Sequence, residues 1–324
     1  MACSSRVRAP CGAWPIVPRI QGCGGTLGPR FRVRDDPAGW PPDLAKRTGP
    51  TDVEVVLEHT GERPMAGATP DSLLALHDAG YREVLARLGP GVVVDVGCGV
   101  GEETERLAAP DRFVIGVDYS TDAVQLAAKT YARDARPDSS ARLGFLASDG
   151  ARLGLRDHSV DWVVSSHIIE HFVNPALHVI ELARVVRDDG TVLVITPNAP
   201  ADFENPFHVY MFEEDHLVSL LSLFFDEVTC FGIDGDDVLK ADFAARRKTG
   251  DKLLKPDRFD LRHKIPYKSY VWAYEHILPL TYKVLGRGAS GIGSGIDASH
   301  FHLRDDVQPD TPVLFAVARK PRVP

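Results

Sequence analysis

The sequence has few cysteines, no long apolar run and no excess of positive charge, and each absence excludes a class of protein. Five cysteines occur in 324 residues, and neither the isolated Cys98 and Cys230 nor the three before residue 24 have the spacing of a zinc knuckle or a disulfide framework. No stretch reaches the roughly 18 uninterrupted apolar residues that span a membrane, and the start lacks the apolar region of a secretory signal. A net charge of −8 argues against general nucleic-acid affinity. We therefore expect a cytoplasmic globular protein with reduced thiols.

The composition changes along the chain and predicts its domain organisation. Residues 1–50 are rich in Pro, Gly and Arg without periodicity, which predicts an irregular leader. Periodic apolar positions begin near Asp71 and predict a first helix. We expect the main domain to cover 51–233 and 311–324, interrupted by an inserted cap or lid over 234–310.

Short apolar runs alternate with helical patterns, which predicts a doubly wound α/β sheet of seven strands with the last one antiparallel. The predicted strands are residues 92–96, 113–118, 143–147, 160–165, 191–196, 227–232 and 312–319. About 80 residues separate the last two strands, far more than a hairpin loop contains. Helical patterns around 271–285 indicate that this partly helical insert has structure of its own.

Glycines follow the first predicted strand at positions 97, 99 and 101, where they let the backbone approach a ligand closely. A glycine-rich turn alone is weak evidence, because dinucleotide-binding dehydrogenases use a similar element. The spacing here is Gly-x-Gly-x-Gly rather than Gly-x-Gly-x-x-Gly, and Asp95 precedes the first glycine by two residues. A carboxylate there would repel a pyrophosphate, so the pattern favours a cationic ligand.

Carboxylates also follow the next two predicted strands. Asp118 ends the second strand, about 20 residues after the glycine turn, where an acid can accept hydrogen bonds from both hydroxyls of a ribose. The alternative is that Asp118 only caps the helix that begins at Thr121. Asp149 lies in the segment Ser148-Asp149-Gly150 after the third strand.

These motifs, in this order, resemble the class I methyltransferases that use S-adenosylmethionine, in the branch similar to quinone-biosynthesis and sugar methyltransferases. The resemblance covers roughly residues 73–233 and 312–320. It implies that the glycine loop wraps the methionine part of S-adenosylmethionine, that Asp118 binds the ribose and that Asp149 contacts the adenine. The expected cofactor-binding residues are Asp95, Gly97, Cys98, Gly99, Gly101, Asp118, Tyr119, Ser148, Asp149, Gly150 and His167.

The segment after the fourth strand, residues 161–172, resembles the family signature that passes the sulfonium and opens toward the acceptor. An alcohol acceptor must lose a proton, and histidine is the commonest base for that step. His167 and His171 are the first candidates, although residues at these positions could merely shape the pocket. Glu170 lies between them, where an exposed acid at a helix start is the commoner situation, so we rank it below the histidines.

A second candidate segment follows the fifth strand. Residues 205–209, Asn-Pro-Phe-His-Val, resemble a segment of methyltransferases in glycan and glycolipid pathways that lies near the mouth of the active site. His208 and Tyr210 therefore become acceptor-site candidates, with His208 a third candidate catalytic residue. The histidines form no compact metal motif, so we expect no metal.

The insert is basic and aromatic within an acidic protein. Residues 240–290 carry many Lys and Arg with interleaved aromatic residues, which predicts contact with an anionic ligand or a membrane surface, or else a solvated lid with its own small core. Nucleic acid is a weaker interpretation, because no nucleic-acid-binding module accompanies the basic residues.

We expect O-methylation of a hydroxyl of a glycan, an oligosaccharide-bearing cofactor or a glycosylated small molecule. A narrower resemblance is to glycan methyltransferases of high-GC bacteria, which include enzymes acting on methylglucose polysaccharides and on the mycofactocin oligosaccharide. The alternatives are a methyltransferase of a quinone or polyketide ring, a non-catalytic S-adenosylmethionine-binding protein and, at the level of the fold, a dehydrogenase.

Overall fold

The described residues form one mixed sheet with helices on both of its faces. The structure is a computed structural model that describes residues 71–132, 142–202, 208–254 and 295–322, with residues 246–254 described as backbone only. The helices are α1 (Asp71–Leu85), α2 (Glu102–Arg106), α3 (Thr121–Tyr131), α4 (Pro175–Val185), α5 (Glu214–Leu221) and α6 (Asp237–Leu254). The strands are β1 (Gly91–Val96), β2 (Arg112–Asp118), β3 (Arg142–Ala147), β4 (Val160–Ser166), β5 (Val186–Pro197), β6 (Phe225–Gly235), β7 (Phe301–Arg304) and β8 (Val313–Pro321).

The strand order is β3-β2-β1-β4-β5-β8-β6-β7. Strands β1 to β5 are mutually parallel, whereas β8 runs antiparallel between β5 and β6. The predicted doubly wound α/β sheet, with its last strand antiparallel, is therefore confirmed. The chain leaves β1 toward β2 on one side, and β4 lies on the other, so the strand order reverses between β1 and β4.

The sheet has eight strands in the described residues, one more than the seven predicted. The additional strand, β7, pairs antiparallel with Gly232–Gly235 at the end of β6. Strand β7 was not predicted, because four residues are too few to show a period-2 pattern. Both ends of the predicted insert over 234–310 thus contribute to the sheet. The predicted leader over 1–50 and the helical pattern over 271–285 lie outside the described residues.

Alternating side chains of the strands bury two separate apolar clusters, one on each face of the sheet. Val94 and Val194 pack with α4 and α5 on one face. Val93 and Leu193 pack with α1 and with Leu239 of α6 on the other. Among the described helices, none is both long and apolar enough to cross a membrane.

We predict that Leu193→Ala lowers the free energy of unfolding by about 2–5 kcal/mol, because it opens a cavity at the centre of β5. The matched control is Leu177→Ala on α4, which should cost no more than about 0.5 kcal/mol. Leu193 is fully buried, whereas Leu177 is 51% exposed. Urea denaturation of both variants measures the difference, and equal losses would contradict the described packing.

Candidate active site

A cleft of about 1150 Å³ opens where the strand order reverses. Its floor includes Val96, Asp118 and Ser166, which lie at the carboxyl ends of β1, β2 and β4. Helix α1 and the segment Ile296–Ala298 line the opposite wall. Ligands of open α/β sheets bind at this place, because the reversal separates the loops on its two sides and leaves a crevice.

The glycine loop between β1 and α2 forms one end of the cleft. Gly97 and Gly101 have φ values of 84° and 86°, in the left-handed region that favours glycine. A Cβ atom at Gly97 would come within 2.9 Å of Ile168, and one at Gly101 within 2.8 Å of the Phe145 ring. The Gly99 amide donates to Asp118 at 2.9 Å, which ties the loop to the end of β2.

Asp95 lies beneath this loop and does not line the cleft. Its carboxylate is fully buried and accepts hydrogen bonds from the hydroxyls of Tyr81 at 2.9 Å and Thr104 at 2.6 Å. Burial raises the pKa of Asp95 to about 6, with the charges of Glu103 and Asp118 acting in the same direction. Asp95 thus joins α1, β1 and α2 beneath the glycine loop. The resemblance implied instead that Asp95 is part of the loop that wraps the ligand.

The two other predicted carboxylates line the cleft itself. Asp118 accepts at Oδ2 from the Gly99 amide and at Oδ1 from the Ser120 amide, at 2.9 and 2.8 Å. Asp149 accepts from the Ala151 amide at 2.8 Å, so its own turn holds it in place. The remaining predicted residues that line the cleft are Gly97, Cys98, Gly99, Tyr119, Ser148, Gly150 and His167.

His178 on α4 holds the Ser148–Gly150 turn in place and was not among the predicted residues. Its buried ring bonds the Gly150 carbonyl through Nδ1 at 2.8 Å and the Ser165 hydroxyl through Nε2 at 2.9 Å. It also stacks on Phe172, with ring centroids 4.6 Å apart. Burial lowers the pKa of His178 to about 4. Because a carbonyl only accepts, Nδ1 carries the proton and the Ser165 hydroxyl donates to Nε2.

Carboxylates dominate the charge of the cleft. Arg106 is paired with Asp78 at 2.5 Å and with Glu103 at 2.6 Å, so two of these carboxylates already neutralise its charge. The acidic residues among the described lining residues are Asp71, Asp78, Glu102, Glu103, Asp118, Asp149 and Asp297. Such a cleft attracts a cation and repels a pyrophosphate. The prediction of a cationic ligand thus has support from the folded structure.

Four histidines, which we call the histidine group, lie near the carboxyl end of β4: His77, His167, His171 and His208. The structure brings together the three predicted histidines and adds His77 from α1, whose ring lies 4.3 Å from that of His167. The rings of His171 and His208 are 5.3 Å apart. His77, His167 and His171 line the cleft. Sequence alone offered no signal for His77, because a lone histidine in an amphipathic helix has no distinguishing pattern.

Glu170 lies at the centre of the histidine group and is 1% exposed, so the expectation of an exposed acid was wrong. Its Oε2 accepts from the Thr196 hydroxyl at 2.9 Å, and its Oε1 lies 3.5 Å from Nδ1 of His167. Burial alone would raise the pKa of Glu170, but His167, with His208 and His171, outweighs it and lowers that pKa to about 2. The Glu170 carbonyl also accepts from the amides of Val209 and Tyr210, which fastens the loop after β5.

His208 is oriented by a carboxylate of its own loop. Its Nδ1 lies 2.6 Å from Asp202, and this hydrogen bond outweighs burial and raises the pKa of His208. Glu170, His171 and His208 offer three potential metal-ligand atoms that all lie within 4.8 Å of one another. Tyr210 instead packs against Phe212, with ring centroids 4.7 Å apart, and is absent from the lining of the cleft.

In a comparison with known proteins, residues 94–194 match a family model described as a methyltransferase domain. A Mycobacterium tuberculosis protein named "probable S-adenosylmethionine-dependent methyltransferase" is 35% identical over 51% of this chain and 60% of its own length. The 2-methyl-6-phytyl-1,4-hydroquinone methyltransferase of Synechocystis is 31% identical over 48% of each chain. A solved S-adenosylmethionine-dependent methyltransferase of Thermotoga maritima is 14% identical, with a TM-score of 0.49 over 77% of this chain and 91% of its own. The chain thus spans about 60% of the length of the mycobacterial relative.

We predict that Asp95→Asn changes the pH dependence of stability. A carboxyl group whose pKa is higher in the folded than in the unfolded state destabilises the fold as pH rises through that interval. From pH 4 to pH 7, the free energy of unfolding of the wild type should therefore fall relative to that of the variant. The expected change is on the order of 3 kcal/mol. Denaturant titrations across this range measure it, and a constant difference would contradict the burial of Asp95.

Proposed function

We propose that this protein, which carries a class I methyltransferase domain, is an enzyme that transfers the methyl group of S-adenosylmethionine to a hydroxyl of a glycan, an oligosaccharide-bearing cofactor or a glycosylated small molecule. One observation carries the proposal. The glycine loop, the carboxylates of Asp118 and Asp149 and three of the four histidines line the same acidic cleft. The loop and the carboxylates suit an adenosyl sulfonium compound, and the histidines suit an acceptor that must lose a proton.

The cofactor would lie along the ends of β1, β2 and β3. The amides of the glycine loop would face the methionine part, and the Asp118 carboxylate would accept hydrogen bonds from the ribose. The turn Ser148–Gly150, which His178 fixes, would hold the adenine. The sulfonium and the ammonium group of the ligand are cationic, so the carboxylates that line the cleft favour them.

The acceptor hydroxyl would lie beside His167 and His171, at the end of β4. His167 lines the cleft, and its Nε2 atom is buried and has no hydrogen-bond partner in the described structure. A hydroxyl bound there would satisfy that atom and could pass its proton to it. In the reaction the bond from sulfur to methyl carbon breaks as the bond from oxygen to carbon forms. The products are a methyl ether, S-adenosylhomocysteine and a proton on His167.

A second candidate function has support from the relatives. The Synechocystis relative and a ubiquinone-biosynthesis O-methyltransferase of Agrobacterium fabrum, 30% identical over 33% of this chain, act on quinone precursors by their names. A quinone or polyketide ring would require a largely apolar acceptor pocket, and apolar side chains such as Ile168 and Phe172 line the cleft beside its carboxylates and histidines. The preference for a hydroxylated acceptor therefore depends on the histidines, which can accept its proton.

A cysteine thiol, the ion pairs of Lys240 and the carboxylates of the cleft bear on where the protein acts and what it contacts. Cys230 is a free thiol, as is usual in the reducing cytoplasm, where we propose that the protein acts. The first basic residue of the insert, Lys240, pairs with Asp234 at 3.3 Å and Asp310 at 2.9 Å, so its charge is already neutralised within the fold. Contact of residues 240–290 with an anionic ligand or a membrane stays a prediction. The carboxylates of the cleft disfavour a nucleic-acid substrate there.

We predict that Asp118→Asn weakens the binding of S-adenosylmethionine and S-adenosylhomocysteine about 10- to 100-fold, because hydrogen bonds to a charged group contribute about 1.5–3 kcal/mol. Calorimetric titration with both ligands and with NAD measures the change. The matched control is Asp122→Asn, an exposed acid in the first turn of α3, which should bind like the wild type. Binding of NAD alone would overturn the proposed function.

We predict that His167→Asn lowers kcat about 10²- to 10⁴-fold, the usual contribution of a general base. Asparagine suits the site because His167 has a φ of 51°, which asparagine tolerates well. Neutral oligosaccharides are the acceptors to screen first, by formation of S-adenosylhomocysteine. An unchanged kcat would show that His167 is not the base. Binding of the cofactor by the wild type without transfer to any acceptor would favour the non-catalytic alternative.

A further inference from the structure

We propose that Glu170, His171 and His208 form a site for a divalent metal ion at the acceptor end of the cleft. Binding of the metal stands on its own, whereas its role in methyl transfer rests on the proposed function. We expected a metal-independent reaction because the histidines form no compact metal motif in the sequence. Their spacing in sequence is uninformative here, because Glu170 and His171 follow β4 whereas His208 follows β5.

The ligand set is the first observation. One carboxylate oxygen and two imidazole nitrogens lie within 4.8 Å of one another. In a tetrahedral site with bonds of about 2.1 Å, ligand atoms lie roughly 3.4 Å apart, so small side-chain rotations bring the three together. Two histidines and one carboxylate are a recurrent set for catalytic Zn²⁺ and for Fe²⁺. Mg²⁺ and Ca²⁺ are disfavoured, because these ions prefer oxygen ligands.

The second observation is a buried oxygen without a hydrogen bond. Oε2 of Glu170 accepts from Thr196, whereas Oε1 is buried and has no hydrogen-bond partner in the described structure, with Nδ1 of His167 at 3.5 Å. Burial of a carboxylate oxygen costs free energy unless a cation or a donor compensates it. A metal ion bound by Oε1, with His171 and His208, would supply that compensation.

The third observation is the orientation of the ligands by their neighbours. Asp202 lies 2.6 Å from Nδ1 of His208, so the carboxylate binds this nitrogen and Nε2 would be the atom that binds a metal. Carboxylate, histidine and metal in this sequence are the usual arrangement around metal-bound histidines. Thr196 fixes Glu170 in the same way. By contrast, the exposed pairs His158–Asp188 and His300–Asp236 do not belong to any group of three ligands among the described residues.

The position of the site indicates what the metal would do. His171 lines the cleft, so a metal held by this residue would lie near the acceptor. A divalent cation there would make an acceptor hydroxyl lose its proton more readily. Nε2 of His167 would take that proton as the bond from the acceptor oxygen to the methyl carbon forms and the bond from sulfur to carbon breaks. The site would therefore favour acceptors with free hydroxyl groups.

Cobalt(II) is a suitable probe, because its visible absorption bands report coordination by nitrogen and oxygen. Chelator-treated, tag-free, full-length protein is titrated with CoCl₂, and we expect one equivalent to bind with visible bands. Asp202→Asn should weaken cobalt binding about 10- to 100-fold, as changes around metal-bound histidines do. Glu170→Gln should weaken it at least as much. His158→Asn, which removes an exposed histidine outside the cluster at a φ of 49° that asparagine tolerates, should bind cobalt like the wild type.

Affinity for S-adenosylhomocysteine is measured on the same samples and should be unchanged in every variant, which shows that each has folded. Absence of visible bands in the wild type, or equal cobalt affinity in the wild type, Asp202→Asn and Glu170→Gln, would overturn the metal site. The protein could bind cobalt through Glu170 and yet not bind S-adenosylhomocysteine. That result would uphold the metal site and contradict the proposed function.

Discussion

The parallel direction of β1 to β5 is the constraint on which the candidate site depends. Parallel strands bring their carboxyl ends to the same edge of the sheet, so the loops that follow β1, β2, β3 and β4 meet there, although they lie far apart in sequence. The reversal of strand order between β1 and β4 separates these loops into two sets. The glycine loop, Asp118 and Asp149 come from one side, and the histidines that follow β4 come from the other. A cofactor end and an acceptor end of one cleft are the consequence.

Two buried carboxylates lie near these two ends of the cleft, and their surroundings shift their pKa values in opposite directions. Asp95 contacts the hydroxyls of Tyr81 and Thr104 and lies near other acids, so burial dominates and its pKa rises to about 6. Glu170 is equally buried, but histidines surround it and bring its pKa down to about 2. Asp95 stabilises the glycine loop from beneath without reaching the cleft. Glu170 places a negative charge beside the histidines on which the proposed acceptor chemistry depends.

Motifs that are local in sequence could be predicted, and contacts between distant segments could not. The glycine loop and the acids after β2 and β3 were recognisable, because each follows an apolar strand at a fixed spacing. The burial of Glu170 depends on Thr196 and on the loop after β5, so position near a helix start gave the wrong expectation. His77 and His178 had no signal, since each is a single histidine in an amphipathic helix. Strand β7 was not predicted, because its four residues are defined as a strand only by their hydrogen-bonded pairing with β6.

We expect a structure of this chain with S-adenosylhomocysteine bound to show the adenine against Ser148–Gly150, both ribose hydroxyls on Asp118, the methionine part along the glycine loop and the sulfur directed toward His167 and His171. A ligand bound outside this cleft, or bound with its sulfur turned away from the histidines, would contradict it.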